Sequence, residues 1–141
     1  PRDPLHLVIV AAQFGLSTPS VFKQLDAGRA AGEYPASGEL VEPAELLEAL
    51  NSYDGSEAAL ASLAPLLRND LQAPALSCAP QLEHTLNLRD SEGVYASLVS
   101  GSGPTVLLLV SSQARAEALA STLRAAGNHA VSAVSAILNH P

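Results

Sequence analysis

Residues 98–110 read LVSGSGPTVLLLV, which places a turn rich in glycine and serine between two short apolar runs. Each run contains enough β-branched residues to form a buried strand, and glycine with proline punctuates the pattern as a turn. The stretch therefore predicts a β-hairpin whose strands cover residues 94–100 and 105–111.

The turn of this hairpin has two interpretations. Gly and Pro are the commonest turn residues, so a plain hairpin turn explains the sequence. Gly101 and Gly103 also lack a Cβ atom and allow positive φ, so neighbouring N–H groups can converge into a nest that binds an anion. The residues alone leave both interpretations open, and the second makes Ser100, Ser102 and Thr105 candidate ligand contacts as well.

The rest of the chain alternates between apolar runs and helical spacing. The continuous apolar run at residues 7–12 predicts a buried strand, and Ser17 or Thr18 predicts the cap of a helix that reaches about residue 28. Leucine spacing predicts further helices. Pro74 is expected to kink or end the one at residues 65–76. The helices cover residues 42–50, 56–63, 65–76, 80–90 and 112–126, and a last strand covers residues 129–137. This order predicts an α+β fold with helices on one face of a mainly antiparallel sheet.

Composition restricts the class of protein. The chain has 141 residues, of which 48% are hydrophobic and 15% charged, which suits one domain with a single core. Its net charge of −7 disfavours nucleic acid or an anionic membrane as the main partner. A single cysteine, Cys78, excludes an intramolecular disulfide, and we expect it to be a small buried residue of a cytoplasmic protein.

Three segments resemble one protein family. Residues 99–105 resemble the third motif of the GHMP superfamily, the small-molecule kinases named after those for galactose, homoserine, mevalonate and phosphomevalonate. Residues 14–22, FGLSTPSVF, and residues 68–76, RNDLQAPAL, resemble segments of one branch, whose acceptor is a cytidine-diphosphate-linked methylerythritol of the non-mevalonate isoprenoid pathway. The blocks occur in the family's order with similar spacing, so the resemblance covers nearly the whole chain.

The resemblance implies that the catalytic and binding residues are shared between two domains. It identifies residues 1–141 as a carboxy-terminal domain with a ferredoxin-like two-layer build and a four-stranded sheet. The ATP phosphate loop, the catalytic aspartate and lysine, and most contacts to ATP and magnesium would then belong to an amino-terminal domain that this sequence lacks. In this chain the resemblance assigns substrate or phosphate contacts to Ser100, Gly101, Ser102, Gly103 and Thr105, assigns no catalytic residue, and predicts that the chain alone is inactive.

Four further residues are candidates for a supporting role. Ser17 and Thr18 are explained as helix caps, although a helix amino-terminus also attracts anions. Asn69 and Asp70 fall inside a predicted helix, where both have poor propensity. They form either an exposed face or a hydrogen-bonding pair that ties the helix to the backbone of the glycine turn. The histidine spacing predicts no metal site.

Two other classes of function remain compatible with the sequence. The chain could be a standalone ferredoxin-like module that senses a metabolite through the glycine turn. It could also be a purely structural or dimerising domain whose turn binds nothing. If the chain is instead one domain of a kinase, leucines exposed at the boundary with the other domain could also drive pairing of two copies.

Overall fold

A computed structural model describes residues 3–12, 14–35, 43–128 and 130–137. Within these ranges the sheet has four strands: β1 (Leu5–Ala11), β2 (Val94–Val99), β3 (Val106–Val110) and β4 (Ala130–Ala136). Their order is β2-β3-β1-β4, and every neighbouring pair is antiparallel. The predicted α+β class and antiparallel sheet are confirmed.

The helices of the described residues connect these strands. They are α1 (Thr18–Ala30), α2 (Pro43–Asn51), α3 (Glu57–Leu63), α4 (Gln72–Cys78), α5 (Glu83–Leu86) and α6 (Gln113–Ala125). Short 3₁₀ turns lie at Ala64–Leu66, Pro80–Leu82 and Asn87–Asp90. None of these helices has both the length and the apolar character required to cross a bilayer.

One face of the sheet carries the main core. Strand alternation directs every second side chain of β1 and β3 to this face, where they are buried beneath helices. The core combines Val8 and Val10 of β1 and Val106, Leu108 and Val110 of β3 with Val21 of α1, Leu86 of α5 and Leu119 of α6.

The opposite face requires a correction to the predicted one-sided arrangement. Leu60 and Leu63 of α3 are fully buried against Leu109 of β3, and residues of α2 pack beside them. Apart from His6 in β1, both strands are apolar on both faces, without polar alternation, so each face needs cover. Helices therefore lie on both sides of the sheet.

Three further predictions fail in and around α4. The helix expected at residues 65–76 is a 3₁₀ turn followed by an extended Leu67, and α4 begins only at Gln72. Pro74 does not kink α4, because it occupies the first turn, where its missing N–H is not needed. Cys78 is exposed rather than buried, since α4 directs Ala75 and Ala79 inward instead.

One other predicted helix differs in its extent. The predicted helix at residues 80–90 is α5 flanked by two 3₁₀ turns. The predicted starts at Glu42 and His129 lie outside the described residues, and the described elements there are α2 and β4.

Adjacent leucines of β3 test the two faces separately. Leu108 is fully buried in the main core, so Leu108→Ala should lower the free energy of unfolding by about 2–5 kcal/mol. Leu107 lies on the other face, partly buried beside a small apolar cavity, so Leu107→Ala should cost at most about half as much. Urea denaturation at 25 °C measures both, and equal losses would contradict the assignment of the core.

Candidate functional site

The glycine turn, residues 100–105, joins β2 to β3 as predicted. The Ser100 N–H donates to the Thr105 carbonyl at 2.8 Å, and the Gly103 N–H donates to the Ser100 carbonyl at 2.9 Å. Gly101 and Gly103 have φ values of +57° and +82°. Both therefore occupy the left-handed region, where residues with a Cβ are strained.

The two glycines meet different surroundings. A Cβ atom on Gly103 would lie 3.1 Å from a methyl of Val99 and 3.3 Å from one of Leu16, so Gly103 also allows a close approach within the fold. A Cβ on Gly101 would meet no atom within 4 Å, and Gly101 is exposed. Gly103 is thus fixed by packing, whereas Gly101 presents its backbone to open space.

Donor groups of the turn remain available for a ligand. In the part of the chain that the structure describes, the N–H groups of Gly101 and Ser102 and the hydroxyls of Ser100 and Thr105 have no hydrogen-bond partner. Within the turn, the Ser100 and Gly103 N–H groups are already used. The turn can therefore offer N–H and O–H donors to an anion. Its side chains carry no group that takes up a proton near neutral pH.

The start of α1 lies against this turn. The Ser17 side chain caps α1 by accepting from the Ser20 N–H at 3.3 Å, which confirms its predicted role as a cap. Thr18 is instead the first helical residue, and its Oγ1 lies 2.9 Å from Oγ of Ser102. The positive end of the helix dipole and the unpartnered amides of the turn thus adjoin.

Asn69 fastens the turn to the rest of the domain. Its Nδ2 donates to the carbonyls of Val99 and Gly101, both at 2.7 Å, and its Oδ1 accepts from the Leu71 N–H at 3.0 Å. The predicted tie between Asn69 and the glycine turn is confirmed. The helical setting was wrong, because Asn69 lies in the irregular link before α4.

Asp70 does not take part in this tie. It forms an ion pair with Arg29 of α1 at 3.2 Å instead. Gln72, which sequence reasoning missed, supplies the second contact: its Oε1 accepts from the Val99 N–H at 3.0 Å. The only sequence signal for Gln72 was its place in the segment at residues 68–76.

Phe22 is a second residue that the sequence did not single out. It follows Thr18 by four residues on α1, so both side chains lie on one face of the helix. Its relative exposure is 48%, unusually high for a phenylalanine. An aromatic ring is thereby presented to solvent on the same helix face as the hydroxyl that contacts the glycine turn.

No metal centre emerges from the described residues. Among them, no three His, Cys, Asp or Glu side chains lie together in a group that could hold a metal ion.

Comparison with known proteins identifies similar chains. The family described as GHMP kinases C terminal matches residues 46–129. The 4-diphosphocytidyl-2-C-methyl-D-erythritol kinase of Nocardia farcinica is 46% identical over 126 residues, which cover 89% of this chain and 38% of that protein. The protein of the same name from Rhodococcus jostii is 43% identical over 126 residues, with the same two coverages. The chain thus spans well under half the length of these relatives.

Solved structures share the fold. A crystal structure of 4-(cytidine 5'-diphospho)-2C-methyl-D-erythritol kinase matches with a TM-score of 0.68 and 24% identity, covering 95% of this chain and 43% of that one. A mevalonate kinase from L. major in complex with R-mevalonate matches with a TM-score of 0.59 and 18% identity, covering 96% and 43%. The chain therefore shares its fold with part of each of these two structures.

Two neighbouring substitutions test how the turn is held. Asn69→Ala removes three hydrogen bonds and should lower the free energy of unfolding by about 2–3 kcal/mol, with altered NMR shifts at Gly101. Asp70→Ala removes only a partly exposed ion pair and should cost about 0–1 kcal/mol. Chemical denaturation compares the two variants. An Asn69→Ala protein as stable as the Asp70→Ala protein would contradict the role of Asn69.

Proposed function

Because the chain belongs to the GHMP kinase C-terminal family, we propose that it is the carboxy-terminal domain of an ATP-dependent kinase. The acceptor we propose is a hydroxyl of 4-diphosphocytidyl-2-C-methyl-D-erythritol, the substrate in the name of its relatives. The place of the reaction is then the non-mevalonate route to isoprenoid precursors. The observation that carries the proposal is the glycine turn, whose Gly101 and Ser102 amides have no acceptor among the described residues.

The turn contributes binding and charge stabilisation. Phosphoryl transfer depends mainly on positioning and on stabilising charge over the phosphate oxygens. Unpartnered N–H groups at Gly101 and Ser102, with the hydroxyls of Ser100, Ser102 and Thr105, are suited to hold a phosphate group of the substrate or of the nucleotide. The side-chain amide of Asn69 donates to the carbonyl of Gly101. This hydrogen bond opposes rearrangement of the turn.

Phe22 suits the other end of such a substrate. Stacking of a nucleobase on an aromatic ring is worth about 1–3 kcal/mol and needs only an exposed ring face. The exposed ring of Phe22 and the hydroxyl of Thr18 share one face of α1, so we propose that a cytosine base stacks on Phe22 while its phosphates reach the turn.

The remaining parts of the reaction belong to a second domain. The proton acceptor, the ATP phosphate loop and most contacts to ATP are proposed to come from an amino-terminal domain, and magnesium to accompany the nucleotide phosphates. Residues 1–141 then form one wall of the cleft. Location in the cytoplasm remains a prediction, as does any pairing of two copies.

Two alternative functions involve the same turn. A standalone module that senses a metabolite would bind a ligand at residues 100–105 without preferring the cytidine-diphosphate substrate. A structural domain would bind nothing there. A titration with nucleotide ligands separates the three functions.

The first test is an NMR titration of the ¹⁵N-labelled chain with 4-diphosphocytidyl-2-C-methyl-D-erythritol, ATP and cytidine 5'-diphosphate. We expect saturable shifts at Gly101, Ser102 and Thr105 with a cytidine-containing ligand. Ser102→Ala should weaken that binding by about two- to tenfold, since one hydrogen bond is worth about 0.5–1.5 kcal/mol. Ser121→Ala, an exposed serine of α6, is the matched control and should change nothing.

Two other results of the titration would favour the alternative functions. Shifts at the turn that are equal for unrelated anions would favour the sensing module and contradict the assigned substrate. A turn whose signals do not move with any ligand at millimolar concentration would favour the structural domain.

The second test concerns turnover. Because no group of the turn accepts a proton near neutral pH, the chain by itself should not convert ATP and the cytidine-diphosphate substrate above the uncatalysed rate. A coupled assay for ADP measures this. Turnover above background that Ser102→Ala reduces would contradict the proposed division between two domains.

A further inference from the structure

A cavity of about 340 Å³ lies beside Asn69 and apart from the glycine turn. It opens between α1, the link that precedes α4, and the outer edge of β2. Its volume is in the range of small-molecule sites, about 300–1,000 Å³. Residues that line it include Leu25, Arg29, Tyr34, Arg68, Gln72 and Leu98.

One wall of this cavity is built by Tyr34. The ring lies directly against Gly28 of α1, where a Cβ atom would overlap it. The Tyr34 hydroxyl is 2.9 Å from Oγ of Ser77 in α4, so the ring is fixed at both ends. A glycine inside a helix costs about 1 kcal/mol relative to alanine, and here that cost permits the close contact with Tyr34.

Arg29 and Asp70 hold the next side of the cavity. The Arg29 guanidinium donates to Asp70 at 3.2 Å and to the carbonyl of Pro35 at 3.1 Å. These contacts join the end of α1 to the link before α4. The cavity is therefore already formed without a ligand, which lowers the entropic cost of binding.

Arg68 is the unusual member of the lining. The other arginines that the structure describes each donate to an oxygen of the protein: Arg29 to Asp70, Arg89 to Glu83, Arg115 to the Glu92 carbonyl and Arg124 to the Val131 carbonyl. The Arg68 guanidinium has no acceptor among the described residues. Five donors thus remain available at the cavity, in a chain whose net charge is −7.

The edge of β2 adds a backbone donor to the cavity, the N–H of Ser97. The N–H and carbonyl of Val99 point away from β3, because both bond to side chains of the link. Ser97, two residues earlier, shares this orientation and lines the cavity. Between these polar groups lie the apolar side chains of Leu67, Leu76 and Leu98.

We propose that this cavity is a second binding site, for a small organic anion with an apolar body. The free guanidinium of Arg68 pairs with the carboxylate or phosphate group, and the leucine walls cover the apolar body. Since Asn69 lines this cavity and also holds the Gly101 carbonyl, an occupant contacts the residue that fixes the glycine turn. The site does not depend on which substrate the turn binds.

Phenyl phosphate is the probe, followed by NMR titration of the ¹⁵N-labelled chain. We expect saturable shifts at the amides of Tyr34, Gln72 and Ser97 and at Nε of Arg68. Inorganic phosphate, which lacks the apolar body, and phenol, which lacks the charge, should each bind at least tenfold more weakly. Arg68→Ala should weaken phenyl phosphate about tenfold, as expected for loss of a charge-assisted hydrogen bond.

Two control variants make the result specific. Arg89→Ala removes the same charge from another exposed arginine and should leave binding unchanged, and Ser102→Ala changes only the glycine turn and should also leave it unchanged. Thermal unfolding checks that Arg68→Ala folds, which its exposure and lack of partners favour.

Three results would overturn the proposal. Shifts confined to residues 100–105 would place the anion at the turn, which ends this inference while the proposed function stands. Equal weakening by Arg68→Ala and Arg89→Ala would show attraction by net charge alone. Phosphate that binds as well as phenyl phosphate would remove the role of the apolar walls.

Discussion

Among the described residues, no strand lies beside the outer edge of β2, and side chains take the place of one. The carbonyl of Val99 accepts from Asn69, and its N–H donates to Gln72. Buried backbone groups without partners cost free energy comparable to a lost hydrogen bond, so an edge strand near a packed core needs such substitutes. Asn69 also reaches Gly101, one step beyond the strand. A single amide side chain thereby connects the stability of the sheet to the shape of the turn.

This connection explains how a turn made of small residues can hold one shape. A loop containing Gly101 and Gly103 has access to many conformations, and fixing each residue costs about 1–2 kcal/mol of entropy. The hairpin hydrogen bonds and Asn69 use the carbonyls of Ser100 and Gly101 and the amide of Gly103. The amides of Gly101 and Ser102 are left over, next to the start of α1. A donor array that needs no rearrangement on binding is the kind that stabilises a phosphate most.

The candidate turn and the cavity at Arg68 lie on two sides of the same link, residues 67–71. Arg29 and Asp70 join that link to α1, while Asn69 joins it to β2. The link has no regular secondary structure, and its shape follows from these contacts. Both sites therefore depend on a segment whose residues are positioned by side-chain hydrogen bonds more than by helix or strand.

Sequence determined the strands, the hairpin, the cap of α1 and the α+β class, because these follow from local periodicity and turn chemistry. The run at residues 98–110 is an example: its apolar halves and glycine turn specify a hairpin with little help from the rest of the chain. The tie between Asn69 and the turn was also within reach, although the helix assumed around it was not there.

Tertiary structure decided what local pattern cannot encode. Leu67 is extended and Pro65 belongs to a 3₁₀ turn because the link must reach the edge of β2. The spacing of leucines in the sequence does not predict this requirement. α2 and α3 cover the second face of the sheet because both faces of β1 and β3 are apolar. The sequence does not predict which strand residue each leucine of these helices contacts. The roles of Gln72, Phe22 and Arg68 likewise depend on atoms distant in sequence, since burial and hydrogen bonding between remote segments are fixed only once the chain has folded.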